Sequence, residues 1–163
     1  MKTLVVYYTR TGHTRRVAED IATALEADIE ELKDDVHRGG PIGFVRSGME
    51  ARNGTTVNLE PLEHRPSDYD LVVVGTPVWA QNVSSPVRTF LESVDLGNAK
   101  VGWFCTVGAS RQSFKDDCFL TMNEASGRTP VAVVGFSASE MKKDRSVVIG
   151  AFADELKRAA SSK

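Results

Sequence analysis

The chain has 163 residues, 20 Lys and Arg against 22 Asp and Glu for a net charge of -2, 41% hydrophobic residues and two cysteines. That length suits one domain over residues 1–163, long enough to bury roughly two-thirds of its unfolded surface without help from metals or disulfides, and the composition argues against a membrane span or a disordered chain. No stripe of Lys and Arg marks a nucleic-acid surface, and Cys105 and Cys118 alone offer neither a disulfide framework nor a CxxC metal site, so a reducing, cytoplasmic setting is expected.

The first predicted strand runs from Thr3 to Tyr8 and contains the unbroken apolar run Leu4-Val5-Val6-Tyr7-Tyr8. It is shorter than the apolar core of a signal peptide and meets Arg10 at once. Next comes Thr9-Arg10-Thr11-Gly12-His13-Thr14, and then helical spacing at Val17, Ile21, Ala24 and Leu25. A strand ending in a tight loop that opens a helix aims free backbone N–H groups and the positive end of the helix dipole at one point. The threonines add hydroxyl donors, and Gly12 permits close approach of an anion or a positive φ. The same residues also fit a plain helix N-cap at Thr11 or Thr14 with a turn at Gly12. A single glycine without a following Gly-Lys-Thr/Ser satisfies neither the dinucleotide fingerprint nor the Walker loop, which favours a mononucleotide phosphate. Arg10, Arg15 and Arg16 cluster here, either as a solvated helix face or as a local positive field.

A second strand is predicted at Asp28 to Leu32. The segment from Val36 to Asn58 is irregular, holds five of the thirteen glycines, and has room for a short helix with Phe44, Val45, Gly48 and Met49 on one face. Its apolar residues are expected to pack on the sheet edge, the alternative being that Ile42, Phe44 and Met49 fold over the site or meet a partner. Strand three is placed at Asp70 to Gly75. A helix follows on Val87, Phe90, Leu91 and Val94, with Ser85 as cap and Pro86 as the first helical residue. Strand four spans Val101 to Thr106, a helix starts near Ser113, strand five covers Val131 to Phe136, and Val148, Ala151, Phe152, Leu156 and Ala159 mark a last helix. Apolar runs without alternation are the mark of strands buried on both faces of a parallel sheet. The alternating order predicts an α/β doubly wound sheet with helices on both faces, a three-layer sandwich. Ligands bind such folds at the carboxyl ends of the strands, so the site is expected in the loops at residues 9–14, 76–82 and 106–112.

The loop Thr9 to Thr14, the piece Tyr69-Asp70-Leu71-Val72-Val73-Val74-Gly75-Thr76-Pro77-Val78-Trp79-Ala80 and the strand-four loop together resemble flavodoxins and related FMN-binding proteins, over nearly the whole chain. The resemblance implies a five-stranded parallel sheet of order 2-1-3-4-5 and FMN as cofactor. It implies that Thr9, Thr11, Thr14 and the amides of Arg10, Thr11, Gly12, His13 and Thr14 hold the phosphate. Thr76, Pro77, Val78, Trp79 and Ala80 on one side, and Thr106, Val107, Gly108 and Ala109 on the other, would flank the isoalloxazine, with Trp79 stacked on it. Strand five running straight into Phe136-Ser137-Ala138 is similar to short-chain members. Two departures stand out. Thr106-Val107-Gly108-Ala109-Ser110 carries no aromatic, which leaves one flavin face open. Neither flavin loop has an Asp or Glu, so negative charge on the reduced flavin is less penalised than in very acidic carriers.

These features imply electron transfer, with a redox partner protein or a small-molecule donor or acceptor, in a monomer or homodimer. An FMN-dependent NAD(P)H or quinone reductase is the alternative, and a flavin-free binding module on the same fold is a third class. A competing pattern is Cys105 to Arg111, which has the Cys-x5-Arg spacing of phosphatases that use a thiolate nucleophile. Gln112 stands where those enzymes carry Ser or Thr.

Overall fold

The computed structural model describes residues 1–162. Five parallel strands form the sheet: β1 (Thr3–Tyr7), β2 (Asp28–Glu31), β3 (Leu71–Trp79), β5 (Lys100–Val107) and β6 (Ala132–Ser137), in the order β2-β1-β3-β5-β6. The expected order of five strands is therefore the observed one. A sixth, two-residue strand, β4 (Asn82–Val83), pairs antiparallel with the end of β3. Leu4 of β1 lies opposite Asp28 of β2 and Val72 of β3, and Val73 of β3 lies opposite Gly102 of β5.

Alternation along the central strands divides the interior into two cores. Leu4, Val6, Val72, Val74 and Trp103 face the layer made by α2 (Gly40–Asn53), α3 (Ser85–Ser93) and α4 (Gln112–Ser126). Val5, Tyr7, Val73 and Phe104 face α1 (His13–Leu25) and α5 (Ser146–Ser161). Each central strand is thus covered on both sides, which is why its sequence reads as a solid apolar run rather than an alternating one. The cap of α3 is Ser84 rather than Ser85, so Pro86 is the second helical residue, still within the first turn where its missing N–H costs nothing.

Two elements differ from expectation. Strand three continues past Gly75 to Trp79, then reverses through Ala80 and Gln81, whose φ values of 48° and 65° make a tight turn back into β4. The apolar run stops at Gly75, but β1 also ends there, opposite Gly75. Beyond that point β3 pairs with β5 as far as Pro77, opposite Thr106, and with β4 at Val78 and Trp79, and a proline without an N–H is tolerated where its own flank has no strand partner.

The second difference is the segment from Val36 to Asn58, which contains a helix of 14 residues, α2. Its buried face is Gly43, Ser47, Glu50 and Ala51, while Ile42, Phe44, Val45 and Met49 are exposed. The expectation that these apolar residues pack on the sheet edge is overturned, because α2 is attached by polar contacts. Glu50 accepts from Arg38 Nη2 at 2.6 Å, outside the helix, while the bonds from Arg46 Nε to Glu50 at 3.0 Å and from Ser47 Oγ to the Gly43 carbonyl at 2.7 Å lie within α2. Gly43 lies so close to the Arg38 backbone that a Cβ would stand 2.2 Å from its carbonyl carbon. Arg38 also pairs with Asp34. Burial disfavours the Arg38 cation, but the hydrogen bonds it donates to Asp34 and Glu50 more than offset this and hold its pKa above the ordinary arginine value.

Candidate functional site at the carboxyl edge of the sheet

The loop after β1 and the carboxyl ends of β3 and β5 converge on one cavity of about 210 Å³. Thr9, Arg10, Thr11, His13 and Thr14 form one end, Pro77, Val78 and Trp79 a wall, and Thr106, Val107 and Gly108 another. Four expected residues do not line it. Gly12 contributes through its backbone. Thr76 is buried, accepting the Ser84 N–H at 3.0 Å, and Ala80 belongs to the hairpin turn beside a separate depression with Arg52 and Asp117. Ala109 is exposed beyond the cavity.

The local backbone around residue 12 explains why this end suits an anion. Gly12 is the N-cap of α1, with φ 97°, and no side chain caps the helix, so the plain reading with Thr11 or Thr14 as N-cap does not hold. The Gly12 N–H donates to Thr9 Oγ1 at 2.9 Å, which closes the loop on itself. The amides of His13, Thr14 and Arg15 fall in the first helical turn and have no intrahelical acceptor. A Cβ at Gly12 would meet nothing within 4 Å, so the approach to these donors is open. Thr14 is buried, its hydroxyl 2.8 Å from that of Thr106, which ties the phosphate loop to the end of β5.

The arginines split in role. Arg15 pairs with Glu31 at 2.8 Å, which spends its charge on the β1–β2 edge. Arg10 points across the loop, its Nη1 donating to the Arg38 carbonyl at 3.1 Å and its guanidinium carbon 5.4 Å from the centre of the Phe44 ring. Trp79 is held from two sides. Tyr8 meets it edge-on at 5.5 Å, and the Arg38 guanidinium lies 5.3 Å from its ring centre.

Three further residues line the cavity: Phe44 on α2, which only the less favoured alternative had folding over the site, and Ala138 and Met141 beyond β6, which sequence reasoning missed. Applying the carboxyl-end rule to the last strand as well would have found the latter two. Their loop is fixed by Glu140, whose Oε2 accepts from Lys115 Nζ at 2.9 Å and from the Ser137 N–H at 2.6 Å. The Lys115 hydrogen bond first, and then the Ser137 amide, lower the Glu140 pKa from 4.5 to about 2.

The Cys-x5-Arg pattern does not make a phosphate loop. Cys105 is wholly buried on the opposite face of β5 from Thr106, packed toward Cys118, while Arg111 is exposed at the mouth of α4 with its guanidinium over Phe114. The contact with Cys105 and burial push the Cys118 thiol well up, so Cys118 stays neutral. Among the described residues no cluster of His, Cys, Asp and Glu is arranged to hold a metal, and no helix is long and apolar enough to cross a membrane.

Free amides and hydroxyls at one end, an apolar slot with an aromatic wall at the other, and open space over Gly12 fit a phosphate joined to a flat ring. The cavity reaches the surface, where its lining residues Phe44 and Gly108 are exposed. Fold and site together define a flavodoxin-like, mononucleotide-binding α/β protein. The sequence matches the flavodoxin family over residues 2–126, and the chain belongs to that family. FMN is its cofactor.

Solved structures agree in fold. A candidate flavoprotein from Bacteroides uniformis superposes with a TM-score of 0.79 at 21% identity, over 94% of this chain and 97% of the other. A flavoprotein from Lactobacillus acidophilus, in complex with FMN, gives 0.67 at 22% identity, over 82% and 92%. An NADH:FMN oxidoreductase in its apo form gives 0.61 at 14% identity, over 100% and 92%.

Proposed function

We propose that this protein transfers electrons through bound FMN, the flavin cycling between oxidised and reduced forms, to or from a redox partner protein or a small donor or acceptor. The observation that supports this reading is the make-up of the cavity. Its titratable side chains are Arg10 and His13, both in the phosphate loop, and the wall of Trp79, Val107, Gly108, Ala138 and Met141 supplies no acid or base. Transfer of single electrons needs none. The cavity opens at the surface beside the exposed Gly108, where an exchanging molecule would meet the flavin. FMN supplies the redox chemistry when bound, while the chain holds it, orients it and tunes its potential.

An FMN-dependent NAD(P)H or quinone reductase is the second reading. The exposed stretch after Gly108, with open space where its Cβ would point, supports it, since a flat acceptor or a nicotinamide has access there. Mixing the FMN-loaded protein with NADH or NADPH under anaerobic conditions separates the two. A carrier keeps its flavin absorbance and, on photoreduction, takes up electrons in two resolved one-electron steps. Rapid bleaching by either nucleotide rejects the carrier in favour of the reductase. That no Asp or Glu is among the residues lining the cavity further supports a second reduction potential less negative than that of a strongly acidic carrier. A strongly negative second step in a redox titration rejects that expectation.

A further inference from the structure

We infer that Phe44, and not Trp79, is the aromatic side chain against which the flavin ring of FMN packs. The inference rests on FMN as the cofactor and goes beyond it by assigning the ring contact to a helix outside the three strand-end loops.

The two aromatic rings that line the cavity are in opposite states. Trp79 is 9% exposed, with Tyr8 edge-on to it, the Arg38 guanidinium 5.3 Å from its ring centre, and the rest of the ring in the core. A ring so engaged supports the wall but has little face left for a ligand. Phe44 lines the same cavity and is 65% exposed. An apolar side chain in that state gains when a flat ligand covers it.

The position of Phe44 is determined rather than incidental. Successive residues turn by about 100° around a helix, so Phe44 lies to one side of the buried face of Gly43, Ser47, Glu50 and Ala51. Ile42, Val45 and Met49 line a different depression on the other side. Gly43 against the Arg38 backbone and Glu50 against the Arg38 guanidinium fix the rotation of α2 about its axis. Arg10, anchored on the Arg38 carbonyl, then holds the ring through its guanidinium at 5.4 Å. The residue that borders the phosphate loop thus also steadies the ring contact.

Two ligands distinguish a ring contact from an effect on the phosphate: FMN, and riboflavin, which has the ring without the phosphate. Dissociation constants come from quenching of flavin fluorescence on titration with apoprotein. For Phe44→Ala we expect about tenfold weaker binding of both, the scale of one lost aromatic contact. Phe44→Trp should restore affinity to within about threefold and deepen the quenching. A loss confined to FMN overturns the proposal, since Phe44 would then act on the phosphate through Arg10, and so does unchanged affinity for both. Failure of the wild-type protein to bind either flavin is a separate result, which overturns the cofactor assignment and this proposal with it.

Discussion

Replacing Glu140 with Gln tests how the last loop of the site is held. The change keeps an oxygen to accept from Ser137 and Lys115 but removes the charge. Lowering a pKa from 4.5 to about 2 corresponds to a ceiling of roughly 3.4 kcal/mol at ~1.36 kcal/mol per unit. The Glu140 side chain is 46% exposed, so solvent screening reduces that to about 1 kcal/mol. Lys115, only 9% exposed in its side chain, adds to the loss because its buried cation is left without a counter-charge. An overall cost of about 1–2 kcal/mol at pH 7 is expected. The sign of the pH dependence follows from the lowered pKa. The stabilisation is fully present above the unfolded value of 4.5 and is lost as pH falls through the folded value of about 2. Urea unfolding of wild type and Glu140→Gln at pH steps from 7 to 3 measures this, and the gap between them should narrow below pH 4.5. A gap that is absent at pH 7, or that stays constant down to pH 3, refutes the reasoning. Because Ala138 and Met141 ride on the same loop, the variant should also bind FMN more weakly.

Gly12→Ala should cost about 1–2 kcal/mol, the penalty of a left-handed backbone for a residue with a Cβ, and should weaken FMN far more than riboflavin; thermal unfolding and the paired titrations check both parts. Thr14→Val leaves the buried Thr106 hydroxyl without its partner and should lower stability by about 1–3 kcal/mol in urea unfolding. Both thiols should resist an aromatic disulfide reagent in the native protein and react only in denaturant, because Cys105 and Cys118 are wholly buried; Cys105→Ser should likewise leave FMN binding unchanged, and fast labelling of either native thiol refutes this.

The central strands were legible because burial on both faces writes itself into Leu4 to Tyr8 and Leu71 to Val74 as solid apolar runs, whereas the run Val131 to Val134 leads into the edge strand β6, where Val133 is exposed. Loop 9–14 was legible for another reason. Its residues act locally, on the turn that they themselves form. The extension of β3 was hidden because Gly75, Thr76 and Pro77 carry no strand signal of their own and are held extended by β5. The sequence allowed a short helix in place of α2 but not its length or its inward face, because a helix is normally read from an apolar face turned inward, and here the inward face is Gly43, Ser47, Glu50 and Ala51. The partners of Glu50 are Arg38, twelve residues away, and Arg46, one turn away on the same helix, and no periodicity reports the first. Phe44 over the site was for the same reason only the less favoured alternative.

The way α2 is fastened has a consequence for motion. α3 sends Val87, Phe90 and Leu91 into the core, and α2 sends Ala51. Each fully buried large apolar side chain contributes about 1.5–3 kcal/mol, so detaching α2 costs much less than opening the sheet, and it should come loose as a unit of its own. In deuterated water its amides should exchange well ahead of those of β3 and β5. With the helix swings Phe44, so one wall of the cofactor site can part while the strands stay folded, and FMN can leave or load without the protein unfolding.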